Sequence, residues 1–321
     1  MSDPDAATGS DETLMRAMWQ SAWILLAGAN FLWAVNVVLA RGISGEVPPI
    51  TLAWVRWTGA FLFALPFAWG QLKRDLPDMR RQWPIMLLLA ATGIASYNTM
   101  SYIGLTSTTA LNVLLLQSAS PLIIIVWAFL IFRETPTLRQ TAGVLVSLAG
   151  VAAIAAHGSL QTLASLKINR GDIWVMVAIA TYAVYCVMAR RRPKVNPVAF
   201  LVALMGIGSV QMLPFAAWEW AQGASIHGGW PVYLAMLYIA ILPSFVAYLL
   251  FNRGLELAGP GPAGQSMHLM PLFGSVLAVL VLHERFQIFH AAGIALIAAG
   301  ILLASLTRLP APRPLRASNQ T

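Results

Sequence analysis

Long apolar runs alternate with short polar breaks along the whole chain. Ten such runs can be drawn between charges, prolines and glycines, at 21–40, 50–70, 83–104, 108–132, 137–156, 171–190, 197–218, 230–252, 262–282 and 287–305. Their lengths suit helices that cross a hydrocarbon layer of about 30 Å. Strands of a membrane barrel would be about 10 residues long with alternating polarity. Stretches such as LLLAATGIA and IALIAAGILLA show no alternation. Lipid cannot satisfy free backbone groups, so helices are the remaining choice. The boundary between the third and fourth runs is the weakest, since GLTSTTA is barely polar.

Composition narrows the class. The 321 residues are 58% hydrophobic and 10% charged, with mean hydropathy +0.71. Soluble chains hold about 25% charged residues, and a soluble fold of this makeup would expose large apolar areas. A soluble enzyme, a nucleic-acid binder and a disordered scaffold are thereby excluded. A single cysteine, Cys186, leaves no internal disulfide and no cysteine metal cluster. Residues 1–19 are polar and acidic, with Asp3, Asp5, Asp11 and Glu12. That is no signal peptide, so the first run is expected to stay in the membrane as a span.

Charge sets the orientation. With the N-terminus inside, fifteen Lys and Arg fall in inner segments, four in outer segments (Arg41, Lys167, Arg170 and Arg285), and Arg56 falls in span two. Both termini are therefore expected in the cytoplasm. The same bias accounts for most of the net +8 without a nucleic-acid partner.

The chain also repeats. Shifting residues 121–154 by 150 positions brings Pro121, Glu134, Gly143 and Gly150 onto Pro271, Glu284, Gly293 and Gly300, among ten identities in 34 positions. A unit of five spans is odd in number, so the second copy must enter the membrane from the opposite side. Inverted repeats of this kind are a common plan of secondary transporters. The expected fold is an all-α integral membrane protein of ten transmembrane helices in two inverted-topology five-helix repeats. Its parts are a tail at 1–20, a first repeat at 21–156, an outer linker at 157–170, a second repeat at 171–305 and a tail at 306–321.

Span one reads Leu32-Trp33-Ala34-x-Asn36, span two carries Arg56, and the Pro121…Glu134 and Pro271…Glu284 pairs recur. With ten spans and the inverted repeat, residues 21–305 resemble the drug/metabolite transporter superfamily, in its EamA-type branch of two five-helix repeats. Ala34 stands where many members have Gly. The resemblance implies export of amino acids or similar small metabolites across the bacterial inner membrane.

Polar residues within lipid tend to face the bundle interior or a water-filled cavity. Asn98 and Tyr102 lie one turn apart in span three, and the 150-residue shift places Tyr248 and Asn252 opposite them in span eight, in exchanged order. Tyr248 and Asn252 continue a stripe from Tyr238 and Phe245. Asn30, Trp33 and Asn36 mark span one, and Tyr182 and Tyr185 mark span six. These residues are candidates to line a central pocket; the alternative is helix packing with interhelical hydrogen bonds. Arg56 lies about 9 Å into span two at 1.5 Å per residue. It is a candidate to bind a substrate carboxylate, or else snorkels to the surface. His268, with Gln265 on its face, lies inside a span and is the candidate carrier of a coupling proton. Pro121 and Pro271 are expected to kink matched spans and to serve in gating. Glu134 and Glu284 suit the start of the helix that follows each. Gly143, Gly150, Gly293 and Gly300 suit close helix contact.

The chain lacks a Walker A motif, an H-E-x-x-H motif and a nucleophile–base constellation. The expectation is a non-enzymatic transporter of a small molecule, without cofactor or metal, exporting an amino acid or derivative by alternating access. Broad efflux of amphipathic or toxic compounds is the alternative; a membrane enzyme or receptor is the other class.

Overall fold

The structure is a computed structural model and describes residues 20–155, 169–259, 263, 266, 267 and 269–305. The candidates Gln265 and His268 lie outside these residues, as do most of both tails and of the 157–170 linker.

Thirteen α-helices make up the described fold: α1 (Ala22–Gly42), α2 (Pro49–Arg81), α3 (Trp83–Ala90), α4 (Tyr97–Leu105), α5 (Ala110–Gln117), α6 (Ser120–Phe132), α7 (Leu138–Ala155), α8 (Arg170–Met188), α9 (Pro197–Ala221), α10 (Trp230–Ile241), α11 (Ala247–Ala258), α12 (Leu269–Leu282) and α13 (Ile288–Ser305). Five helical stretches are long and apolar enough to cross a membrane, or six if the bent pair α5–α6 is one span. α7, α12 and α13 are apolar but contribute shorter stretches.

Four expected runs differ in detail. The second extends to Arg81, because Gln71–Arg81 is polar yet rich in helix formers, so the helix outlasts the apolar stretch. The third and eighth are each interrupted by a π-helical turn, at Ala91–Ser96 between α3 and α4 and at Leu242–Val246 between α10 and α11. The fourth breaks at Ser118–Ala119 with a bend of 47°. Pro121 therefore does not kink a continuous span. It sits in the first turn of α6, where a missing N–H costs nothing. Pro271 is the third residue of α12.

Local chemistry explains the helix starts. Asn169 accepts from the Gly171 amide at 2.8 Å, Asn196 from Val198 at 2.9 Å, and Thr109 from Asn112 at 3.1 Å. Arg133 and His283 have φ of 57° and 54° and end α6 and α12 in left-handed turns. The two positions are 150 residues apart, as the repeat requires.

Packing interleaves the halves. α1 lies on α11 and α12, while α8 lies on α4 and on α5–α6. These are the same contacts with the halves exchanged. α2 packs on its equivalent α9, and α7 on its equivalent α13, the most extensive contact in the molecule. A Cβ on Gly150 would lie 2.7 Å from the Gly293 carbonyl oxygen, and one on Gly300 would lie 2.5 Å from that of Gly143. As one helix ascends the other descends, so α7 and α13 cross antiparallel about a local two-fold axis.

Candidate functional site

The two π turns flank the most polar part of the interior. A π turn inserts one extra residue and leaves a carbonyl outside the α-helical ladder. In the second turn, the Pro243 carbonyl accepts the indole N–H of Trp33 at 2.9 Å. Its neighbour Ser244 donates to the Ile239 carbonyl at 2.9 Å and accepts from Arg56 Nε at 2.7 Å. In the first turn, Gly93 lies against the Tyr185 ring. A Cβ there would come within 2.4 Å of it, so only glycine lets that tyrosine approach.

Arg56 is the centre of the cluster. It is 4% exposed and does not snorkel. Its Nη1 lies 2.8 Å from Tyr102 Oη, 2.9 Å from Asn98 Oδ1 and 3.2 Å from Asn36 Oδ1. Tyr102 in turn donates to Asn36 Oδ1 at 3.0 Å. Helices α1, α2, α4 and the second π turn thus converge on one guanidinium. Its Nη2 makes no hydrogen bond with the described residues, and it is not among their sealed, partnerless polar atoms.

Every hydrogen-bond partner of Arg56 is neutral. The ion pairs among the described residues are Glu134–Arg190 and Glu256–Arg253, both at the surface. Burying a charge without a counter-ion costs several kcal/mol, and hydrogen bonds to a charged group return about 1.5–3 kcal/mol each. The cluster therefore holds Arg56 charged and leaves its charge uncompensated.

The Arg56 guanidinium lies over the Trp57 ring, 4.8 Å from its centroid, and further aromatic pairs lie nearby. Trp33 meets Tyr248 edge-on at 5.5 Å and Phe251 at 5.3 Å. Tyr97 meets Tyr182 at 4.7 Å, and Tyr182 stacks on Tyr185 at 5.5 Å. Tyr97 and Tyr248 both stand within electrostatic reach of Arg56.

The sequence pattern of the EamA-like transporter family matches residues 20–156 and 169–306, nearly the whole chain in two copies. The chain belongs to the EamA-like transporter family. Among its relatives, an uncharacterized transporter of Archaeoglobus fulgidus is 28% identical over 284 residues, covering 87% of this chain and 96% of the relative. The uncharacterized transporter YyaM of Bacillus subtilis is 25% identical, covering 90% and 95%. The uncharacterized inner membrane transporter YicL of Salmonella typhimurium is 24% identical, covering 87% and 93%. A solved crystal structure of a protein superposes with TM-score 0.61 at 21% identity, over 92% of this chain and 98% of the other, and so shares its fold. The chain is accordingly a transporter with several membrane-crossing helices.

This EamA-like transporter gathers some of the sequence candidates and separates others. Asn36, Arg56, Asn98 and Tyr102 are directly bonded, Tyr248 stands beside them with Trp33 against its ring, and Tyr182 and Tyr185 continue outward from Tyr97. Asn30 instead bonds the Leu26 carbonyl at 2.8 Å and Ser266 at 3.2 Å. Phe245 packs with Phe63 and Phe67 beside Ala64 and Ala68, in a separate apolar cluster. Asn252 is half-buried and makes no hydrogen bond with the described residues. Sequence reading missed Ser244 and Tyr97. Ser244 is one hydroxyl in an apolar run, and only the π turn aims it at Arg56. Tyr97 adjoins Asn98, and α-helical spacing alone would put the two on different faces.

The central site is one-sided despite the repeat. The 150-residue equivalent of Arg56 is Gly206, and that of Asn36 is Cys186. Glu134 and Glu284 also part company, and neither caps the helix that follows it. Glu284 accepts the amides of Ala110 and Leu111, both at 2.9 Å, at the start of α5. Glu134 pairs with Arg190 at 2.7 Å in the open.

Proposed function

We propose that this transporter is a ten-span secondary carrier of the bacterial inner membrane, built as two inverted five-helix repeats with both termini in the cytoplasm. It exports a small metabolite bearing a carboxylate, an amino acid or close derivative, by alternating access. The observation that carries the substrate class is Arg56: a buried guanidinium with neutral partners only and one unbonded nitrogen. A carboxylate would supply the counter-ion and accept from Nη2, a charge-assisted bond of the stronger kind. One cation suits one carboxylate; a phosphate or nucleotide asks for more. The antiparallel two-fold crossing of α7 on α13 supports the inverted repeat, because two like halves that exchange conformations open alternately to either side. Trp33, Tyr97, Tyr102, Tyr182, Tyr185 and Tyr248 would line the path.

The test is counterflow in proteoliposomes with a panel of amino acids and their decarboxylated amines. Carboxylates should compete and amines should not, and Arg56→Gln should abolish the distinction while the protein stays folded. The aromatic residues of the site favour a second reading, broad efflux of amphipathic compounds. Competition by lipophilic cations that survives in Arg56→Gln would select that reading.

A further inference from the structure

A second buried polar network lies where α5, α8 and α13 begin, away from Arg56. Asp172, in the first turn of α8, is 1% exposed, and His290, in the first turn of α13, is 4% exposed. Thr108 Oγ1 donates to Asp172 Oδ1 at 2.5 Å. Asn112 Nδ2 points the same way, 3.3 Å from Thr108 Oγ1 and 3.4 Å from Asp172 Oδ1. Asn112 thus turns its carbonyl oxygen to His290 Nε2, 3.0 Å away. The other ring nitrogen, Nδ1, accepts the Gln287 backbone N–H at 3.0 Å.

This geometry fixes the proton count on the imidazole. A backbone amide can only donate, so Nδ1 presents a lone pair and Nε2 carries the hydrogen. A second proton would set two N–H groups against each other and break the Gln287 bond, which holds the turn before α13. The same turn carries Glu284, whose carboxylate bonds the two free amides at the start of α5. His290 and Glu284 thereby pin the α12–α13 turn of one half onto α5 of the other.

Other ties at this end run the same way. Glu219 of α9 accepts from the Thr51 amide and hydroxyl, both at 2.7 Å, and from the Ile50 amide at 3.1 Å. At the opposite end, the side-chain ties between the halves are exposed: Glu134 with Arg190, and Asp75 accepting the Asn196 amide at 2.8 Å. Exposed ion pairs hold little. The end where Glu219 and Glu284 cap backbone amides is therefore the more firmly tied one.

A proton has a route in. Thr109, Asn112, Glu284, Arg285, Gln287 and His290 help line a cavity of about 210 Å³, room for several waters at about 30 Å³ each. Among the described residues, these charged and titratable groups stand at or near this network. Glu284 and Arg285 line the cavity, Asp172 stands beyond Asn112, and His283 and Arg170 are exposed. Arg41 is engaged by the Leu105 carbonyl at 2.6 Å. α12 has no titratable residue, and the antiparallel crossing puts Arg139 of α7 at the far end.

We infer that His290 is a proton-binding site whose protonation releases this end of the transporter. Histidine is the side chain whose unperturbed titration falls nearest neutral pH, so protonation by acid on this side would undo the Gln287 bond, loosen the turn that carries Glu284 and free α5. The inference rests on the alternating-access reading, in which this end faces outward, but its test needs no transport. Hydrogen–deuterium exchange is followed on the full-length protein in lipid nanodiscs at pH 7.5 and pH 5, with times scaled for intrinsic exchange. Peptides covering 108–117 and 283–291 should exchange roughly tenfold faster at pH 5, as expected for losing a buried hydrogen bond. His290→Gln cannot titrate and should exchange equally at both pH values, with Glu284→Gln as a second variant that loosens the turn at pH 7.5. Equal wild-type exchange at both pH values, or a pH response retained in His290→Gln, would overturn the latch. Arg56→Gln should keep the pH response, so a failed substrate assignment and a failed latch are told apart.

Discussion

Gly150 and Gly293 meet backbone to backbone where α7 crosses α13. A Cβ on Gly150 would lie 2.7 Å from the Gly293 carbonyl oxygen, and one on Gly293 would lie 3.0 Å from that of Gly150. Under the 150-residue shift this contact becomes the one between Gly300 and Gly143, where a Cβ on Gly300 would lie 2.5 Å from the Gly143 carbonyl oxygen, and such paired contacts are what a two-fold axis between similar halves produces. Lipid supplies no hydrophobic drive between helices, so such close approach is what holds them together.

Gly150→Val should therefore force the helices apart. Overpacking of this kind costs typically 1–3 kcal/mol, and the thermal midpoint in detergent should fall. Ala128→Val adds its methyl groups at a buried position that already holds a Cβ, and should cost less. Equal midpoints for Gly150→Val and wild type would mean that the two helices are free to part.

The central cluster makes its own forecast. Asn98→Ala and Tyr248→Ala should each lower transport while membrane abundance stays near wild type. Asn98 bonds Arg56 directly and Tyr248 holds Trp33, so the two act on one site from opposite halves. Normal transport in both variants would make these residues packing groups.

Topology is checked by reporter fusions. A fusion after Leu306 should report the cytoplasm, and one near Ser165 should report the outside. An external signal at the C-terminus would require an odd number of crossings and would remove the inverted repeat.

The helical class, the approximate course of the apolar runs and the 150-residue repeat are legible in the residues alone. The reason is that lipid admits few backbone solutions, so hydropathy and turn residues carry unusual weight. The left-handed residues Arg133 and His283 and the glycine crossing obey the same register. Asn36, Arg56, Asn98 and Tyr102 were recognisable as candidates because each is an expensive residue within an apolar run.

What the residues could not state is which of those candidates meet. Arg56 lies near enough to one end of its helix to snorkel, and only the arrival of α1, α4 and Ser244 from the other half makes burial affordable. The two π turns decide where Ser244 and Tyr185 point, yet a π turn leaves no periodic mark in a uniformly apolar run. Histidine tells the same story. His268 stands out in the sequence because it lies inside an apolar run, whereas His290, near the start of the last run, carries no local sign of its partners. Its network partners Asn112, Thr108 and Asp172 are 118 to 182 positions away along the chain. Hydropathy is a local, one-dimensional property and determines where a chain crosses the membrane. Charge compensation and proton count depend on neighbours a few ångströms away in space, and those only the folded bundle brings together.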